Sequence, residues 1–270
     1  MVPSLELLNR SLILSRMAPL IREQLNRLQI ESSGDSTNSA VQRMPIEGQH
    51  GTAILAEQQK AGRGQRGKHW YSPFARNLYL SLGWRFERSP TELGCLSLLS
   101  ALSAARALSR AGLEEHGIKW PNDILLHGQK LCGCLVEVQG DSRDSCHAVL
   151  GVGINVHMPA SEADIAIDQP WTDLESHLTK CSRNSLAALL LEELITHLAL
   201  FADQGFEPFR EDWQQYDLLK GRTVDAVAGT RTLRGMATGI DGNGALLLDT
   251  GGEVLILHSA EVSLKPGLSQ

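Results

Sequence analysis

Residues 59–70 read QKAGRGQRGKHW and set Lys60, Arg63, Arg66 and Lys68 among three glycines with no acid. Cations beside glycines, whose backbone amides can approach a ligand closely, form a nest for an anion. Two phosphate-loop spacings fit the stretch in form: Gly62 to Gly67 is G-x-G-x-x-G, and Gly62 to Lys68 is G-x-x-x-x-G-K. The second requires a Ser or Thr hydroxyl next, for magnesium, and His69 stands there instead. Both require a helix directly afterwards, with the phosphate on its N-terminus. Here Pro73 follows, and residues 77–82, NLYLSL, alternate at period two and predict a strand. A Walker-type NTPase therefore fails. A local anion-binding loop remains, with a solvated basic loop as the plainer alternative.

Three further constellations carry chemistry. Within Asp35-Ser36-Thr37-Asn38, the last three residues offer uncharged donors and acceptors, although a helix N-cap would use the same stretch. Lys119-Trp120-Pro121-Asn122-Asp123, with Lys130 beyond a turn, brings two ammonium groups and a carboxylate to one hairpin. The alternatives there are a turn aspartate capping its own backbone and a solvated lysine. Gly151-Val152-Gly153-Ile154-Asn155 is an apolar strand interrupted by glycine and ending in an amide; close backbone packing would account for it equally.

The elements that must position these groups follow from periodicity. Residues 4–30 carry Leu and Ile at helical spacing, divided by Pro19, and predict a helical lead-in. Residues 31–38 are a turn-rich break, and 52–58 read as a buried strand from which the basic loop hangs. Residues 96–111 predict an amphipathic helix stopped by Gly112, 118–138 a hairpin turning at His127-Gly128, and 148–156 another strand after a polar loop. Two more helices are expected over 186–201 and 206–216. From Gly221 the texture changes to short strands at 223–227, 233–238, 245–248, 254–257 and 262–264, the pattern of a small five-stranded barrel.

The 270 residues, 42% hydrophobic and 21% charged, suit an ordinary globular protein with one main core and a small second domain. A formal net charge of −6 argues against a broad nucleic-acid surface, so any anion site is local. No run reaches the roughly 18 apolar residues of a membrane span, and no signal-peptide pattern opens the chain, which points to the cytoplasm. The five cysteines are odd in number and irregularly spaced; Cys132 and Cys134 share a strand face without further zinc-like ligands, and buried thiols are expected.

Taken together, the four constellations resemble the biotin protein ligases, also called biotin–acetyl-CoA-carboxylase ligases. The matching residues are D-S-T-N at 35–38, Q-x-A-G-R-G-x-R-G-K-x-W at 59–70, S-P-F-x-x-N-L-Y-L-S at 72–81, K-W-P-N-D at 119–123, K-L-x-G at 130–133 and G-x-G-I-N at 151–155. The resemblance spans residues 31–266. It implies an α+β fold with a mixed-sheet catalytic domain of the class II synthetase and biotin–lipoate ligase type over 31–218, then an SH3-like β-barrel over 219–270. It also implies activation of biotin by ATP, with Mg2+, to biotinyl-5'-AMP, and transfer to a lysine of a biotin carboxyl carrier protein.

By that resemblance Arg63, Arg66, Lys119, Asp123 and Lys130 carry catalysis. Ser36, Thr37, Asn38, Gln59, Arg63, Gly64, Gln65, Lys130 and Gly133 hold biotin, and Arg66, Gly67, Lys68, Trp70 and Asn155 hold ATP. The residue types suit the chemistry. A carboxylate attacking a phosphorus brings two anions together and demands positive charge. The neutral ureido ring needs uncharged partners, because a buried polar group left unpaired costs about 1–3 kcal/mol. Asp123 is the candidate to orient the carrier lysine or take its proton. Gln65 stands where many relatives carry arginine and so bears on how tightly biotinyl-AMP is retained. Some members begin with a winged-helix DNA-binding domain that the lead-in is too short to hold, so repression is not expected; residues from Leu7 onward nonetheless look like the segment following that domain, which leaves a truncated start open. The sequence is compatible with both a monomer and a homodimer. A lipoate or octanoate ligase of related fold is the nearest rival, and such enzymes lack the full R-G-x-R-G loop.

Overall fold

From Leu78 to Phe86 the even positions, Leu78, Leu80, Leu82, Trp84 and Phe86, enter the main hydrophobic core, while Tyr79, Ser81 and Gly83 face the other way. Every second residue sharing a face is the geometry of an extended strand. The computed structural model describes residues 5–140 and 145–264. Residues 1–4 of the expected lead-in, 141–144 of the polar loop and 265–270 of the expected barrel segment lie outside the described residues.

In chain order the helices are α1 (Arg10–Arg16), α2 (Pro19–Arg22), α3 (Thr37–Gln42), α4 (Leu96–Arg110), α5 (Ala160–Ala166), α6 (Arg183–Gln204) and α7 (Arg210–Tyr216). The strands are β1 (Arg27–Glu31), β2 (Thr52–Ala56), β3 (Leu78–Phe86), β4 (His116–Lys119), β5 (Asp123–Leu126), β6 (Gln129–Gln139), β7 (Cys146–Ile154), β8 (Thr223–Ala228), β9 (Arg231–Ile240), β10 (Leu246–Asp249), β11 (Val254–Leu257) and β12 (Glu261–Leu264). Seven strands form one sheet in the order β1-β2-β3-β7-β6-β5-β4; β1 runs parallel to β2 and the other pairs are antiparallel. The remaining five form an antiparallel sheet, β11-β10-β9-β8-β12, of the small-barrel kind that the composition predicts.

The large sheet has two unlike faces. Helices α4 and α6 cover one, packing Leu98, Leu102, Ala105, Leu190 and Leu194 against the even positions of β3 and β7. Short α3 covers part of the other, where Val41 and Ala40 meet Ile54 and Val149. Cys132 and Cys134 lie in the main core as buried free thiols.

Three expectations need correction. The lead-in is not helical to residue 30: residues 27–31 are the edge strand β1, so the sheet crosses the expected domain limit. Leu28 and Ile30 alternate as a strand requires, and pairing with β2 fixes them. Second, α5, only 7 residues long, was not anticipated, while the 6-residue α3 follows the N-cap alternative for residues 35–38. Third, the helix expected over 186–201 is longer, and the 22-residue α6 is apolar enough on average to match a membrane span by length and composition alone, although charged residues interrupt it and no continuous apolar run of that length is present. It is mostly buried, and its Glu192 and Glu193 bind Arg110 at 2.7 and 2.9 Å.

The lead-in is tied to the core through charge. Arg183, fully buried at the start of α6, donates to Glu57 at 2.6 Å, to the Asn77 carbonyl at 3.0 Å and to the Glu6 carbonyl at 2.6 Å. Leu8 N–H donates to the other oxygen of Glu57 at 2.6 Å. Removing one member of a buried pair strands the other in a medium of low polarity. Arg183→Ala is therefore expected to lower unfolding free energy by about 3–5 kcal/mol, read as an earlier denaturant midpoint at unchanged m-value.

Candidate functional site

On the α3 side of the large sheet, β3, β7 and β6 lie in register so that Ser81, Gly151 and Leu135 form one row and Tyr79, Gly153 and Gly133 the next. Rows two residues apart along a strand are about 6.6 Å apart. Small residues at Ser81, Gly151, Gly153 and Gly133 leave room above the backbone, and two side chains fill part of it. A Cβ on Gly151 would collide with the Asn38 amide, and one on Gly153 would lie 2.7 Å from the Trp70 indole. On Gly133 it would lie 3.0 Å from the same indole. Close packing thus does explain the glycines of 151–155, and what packs there is the candidate site itself.

The cavity above this floor has a volume of about 590 Å3. Its wall includes Ser36, Thr37, Asn38, Gln59, Arg63, Gly64, Gln65, Arg66, Lys68, Trp70, Lys119, Asp123, Lys130 and Gly133, so fourteen predicted residues from four separate stretches converge. Gly67 and Asn155 are not brought to the wall. Gly67 follows Arg66, and both have positive φ, 74° and 57°; the glycine serves the turn, since a side chain is rarely adopted there. Asn155 is buried and donates to the carbonyls of Lys130 at 3.3 Å and Thr172 at 3.0 Å, so it holds backbone behind the site.

At one end the groups are uncharged. Ser36 takes the N-cap backbone position of α3 but makes no side-chain capping bond, which overturns the capping alternative for its hydroxyl. Gln59 Oε1 instead accepts from Thr37 N–H at 2.9 Å. The Ser81 hydroxyl donates to Asn38 Oδ1 at 2.5 Å and lies 2.7 Å from Thr37 Oγ1.

The other end is ionic. Lys130 Nζ lies 2.7 Å from Asp123 Oδ1 and 5.5 Å from the centre of the Trp70 ring, and Lys119 Nζ lies 3.7 Å from Asp123 Oδ2. The Lys130 side chain is only 17% exposed, so the solvated-hairpin alternative fails; Asp123 binds lysines rather than its own turn. The basic loop closes on itself through Trp70 N–H to the Gly62 carbonyl at 2.9 Å and Gly64 N–H to the Lys68 carbonyl at 2.7 Å. No helix follows it.

Three further groups, outside every motif, join the arrangement. Glu261, on β12 of the small sheet, binds Lys68 at 2.7 Å and Arg66 at 3.2 Å; its carboxyl sits below the usual range, chiefly through the Lys68 hydrogen bond. Burial opposes that shift, and the nearby charges of Lys68 and Arg66 add to it. Residues 164–169, in and after α5, form another wall, with Ile165 90% exposed. Glu137 binds Arg63 at 3.2 Å. Alternation from Gly133 puts Glu137 on the cavity face, a signal available in the sequence; nothing local marks Glu261.

Two family models match the chain: the Biotin/lipoate A/B protein ligase family over residues 31–155, and the Biotin protein ligase C terminal domain over 221–265. The bifunctional ligase/repressor BirA of Escherichia coli K12 is 39% identical over 231 residues, covering 86% of this chain and 72% of BirA. The chain belongs to the biotin protein ligases. The biotin–[acetyl-CoA-carboxylase] ligase of Mycobacterium tuberculosis is 32% identical over 217 residues, covering 78% of each chain. The biotin protein ligase of Aquifex aeolicus, solved with biotin and ATP, superposes with a TM-score of 0.73 at 27% identity, covering 89% of this chain and 99% of that one. Both matched segments of this ligase meet at the cavity, since Glu261 and its neighbours Ala260 and Val262 line it.

The floor gives a direct test. Gly153→Ala is expected to push Trp70 off the sheet and weaken ligand binding roughly tenfold, the scale of an overpacking cost of about 1–3 kcal/mol. Isothermal titration with biotin and with ATP measures it, and a thermal midpoint within a few degrees of wild type separates the effect from unfolding.

Proposed function

We propose that this cavity binds biotin and ATP side by side, joins them as biotinyl-5'-AMP, and then passes the biotinyl group to a lysine of a biotin carboxyl carrier protein. The observation that carries the reading is the ordering of the wall. Hydroxyls and amides of Ser36, Thr37 and Gln59 occupy one end, Trp70 the middle, and Lys130, Lys119, Arg66 and Lys68 the other. A ureido ring with a carboxylate tail, followed by a nucleotide triphosphate, has the same sequence of demands: neutral hydrogen bonds, an apolar face, then cations.

In the first step a biotin carboxylate oxygen attacks the α-phosphorus, a P–O bond forms, and the bond to the β-phosphate breaks to release pyrophosphate. Lys130 and Arg66 are placed to offset the charge that builds on the phosphoryl oxygens. In the second step an uncharged carrier lysine attacks the acyl carbon, the mixed anhydride opens, AMP leaves with the bonding electrons, and the proton lost from nitrogen passes to Asp123 or to water. Asp123 holds Lys130 and Lys119 in the resting protein, and a phosphate drawing on those lysines would leave a carboxylate oxygen to orient the incoming amine. Trp70 is assigned to the adenine face, and Gly64 and Gln65 to the loop over the intermediate.

Mg2+ fits this wall without a dedicated cage. Among the described residues no three His, Cys, Asp or Glu side chains cluster, but a magnesium ion held by triphosphate oxygens and water needs only one or two carboxylates, and Asp123 and Glu261 are on the wall. When bound it would spread the triphosphate charge. The five cysteines are free, four of them buried, which suits a reducing compartment, and we place the reaction in the cytoplasm. Whether two copies pair is read by light scattering.

ATP–pyrophosphate exchange with biotin, lipoate or octanoate supplied separately tests the substrate. Exchange stimulated by lipoate but not biotin would overturn the reading. Lys130→Ala is expected to abolish biotin-dependent exchange, and unchanged exchange would remove it from the site. For Asp123→Ala, carrier labelling should fall further than exchange; equal losses would contradict its part in transfer.

A further inference from the structure

Glu137 belongs to none of the motifs and does not line the cavity, yet three elements meet at its carboxylate. It stands on β6, four residues past Gly133, so alternation places it on the cavity face. Glu137 Oε2 accepts from Asn38 Nδ2 at 2.8 Å, from α3, and from Arg63 Nη2 at 3.2 Å, from the basic loop. Arg63 Nη2 also donates to Ser39 Oγ at 3.2 Å, so the guanidinium lies across α3.

The chemistry of Asn38 gives this carboxylate a specific task. A side-chain amide can turn by 180° and exchange a donor for an acceptor, and a ureido ring discriminates between the two. Here the NH2 group faces Glu137 and the Leu135 carbonyl, at 2.8 and 3.3 Å, while the oxygen faces the Ser81 hydroxyl at 2.5 Å. An ionised carboxylate only accepts, so it admits one orientation and excludes the flipped one. Arg63 has the opposite problem. It sits between Gly62 and Gly64, on a backbone free to move, with a long side chain that occupies many rotamers. A charge-assisted bond to Glu137 selects one of them.

We propose that Glu137 is a positioning residue for biotin, which fixes the Asn38 amide and straps Arg63 over α3, so that loop closure and the uncharged end of the site are set by one carboxylate. This rests on the reading of the cavity as a biotin and ATP site. It also separates the cations: Arg63 closes the biotin end, while Arg66, Lys68, Lys119 and Lys130 serve the anions.

The test compares full-length wild type, Glu137→Gln and Glu137→Ala in biotin-dependent ATP–pyrophosphate exchange. For Glu137→Ala the biotin KM should rise roughly tenfold, as for loss of a hydrogen bond to a charged group, with the ATP KM within about twofold of wild type. Glu137→Gln keeps the shape and an acceptor, so it guards against a folding defect; it tolerates either amide orientation and should fall between the two. Adding Arg63→Ala to Glu137→Ala should cost less than the two single effects combined, because both act through one contact. Biotin KM within about twofold of wild type in both Glu137 variants, or biotin and ATP KM rising together, would overturn the positioning role while leaving the ligase reading intact. Absence of biotin-dependent exchange in the wild type would overturn both.

Discussion

The site depends on a place where side chains are withheld. Gly133, Gly151 and Gly153 lie beside one another on neighbouring strands, and Ser81 extends the bare patch across β3. The opposite face of the same strands is filled with Leu, Val and Trp. One sheet thus does two jobs by alternation: a core on one side and a ligand floor on the other. A register slip of a single residue would put leucines on the floor and glycines in the core, so pairing fidelity and ligand binding are one requirement.

Charge is handled by pairing. Arg63 meets Glu137, Arg66 and Lys68 meet Glu261, and Lys119 and Lys130 meet Asp123. Each carboxylate comes from a different element, β6, β12 or β5, so the five cations are held from three directions. Most of these pairs are partly exposed and contribute little stability one by one. Their role is geometric, because each keeps a long flexible side chain aimed at the cavity before any ligand is present. The buried Glu57–Arg183 pair differs in kind, since it anchors the lead-in to α6 and carries no site residue.

Much of this was legible. The strands of the small sheet could be read from spacing alone because short alternating runs between glycine turns carry their own signal. The four constellations pointed to one site, and the resemblance gave their order. What escaped was nonlocal. β1 is a strand because β2 lies beside it; its Leu28 falls at helical spacing from Ile21 and Leu25, which masks the alternation of Leu28 and Ile30. Ser36 is an N-cap by backbone and a wall residue by side chain, two readings that looked exclusive. Asn155 matches its motif, yet it braces the Lys130 backbone from behind, a distinction that spacing does not carry.

The ion pairs of Glu261 bear on which anions the basic loop will accept. This carboxylate is attached to the same chain, so it meets Arg66 and Lys68 without the entropy cost of capturing a dissolved ion. A singly charged competitor gains almost nothing by replacing one carboxylate with itself. Only a ligand that brings several negative charges at once, and additional contacts with them, can displace it. The small sheet therefore sets an internal carboxylate against any anion that approaches Arg66 and Lys68.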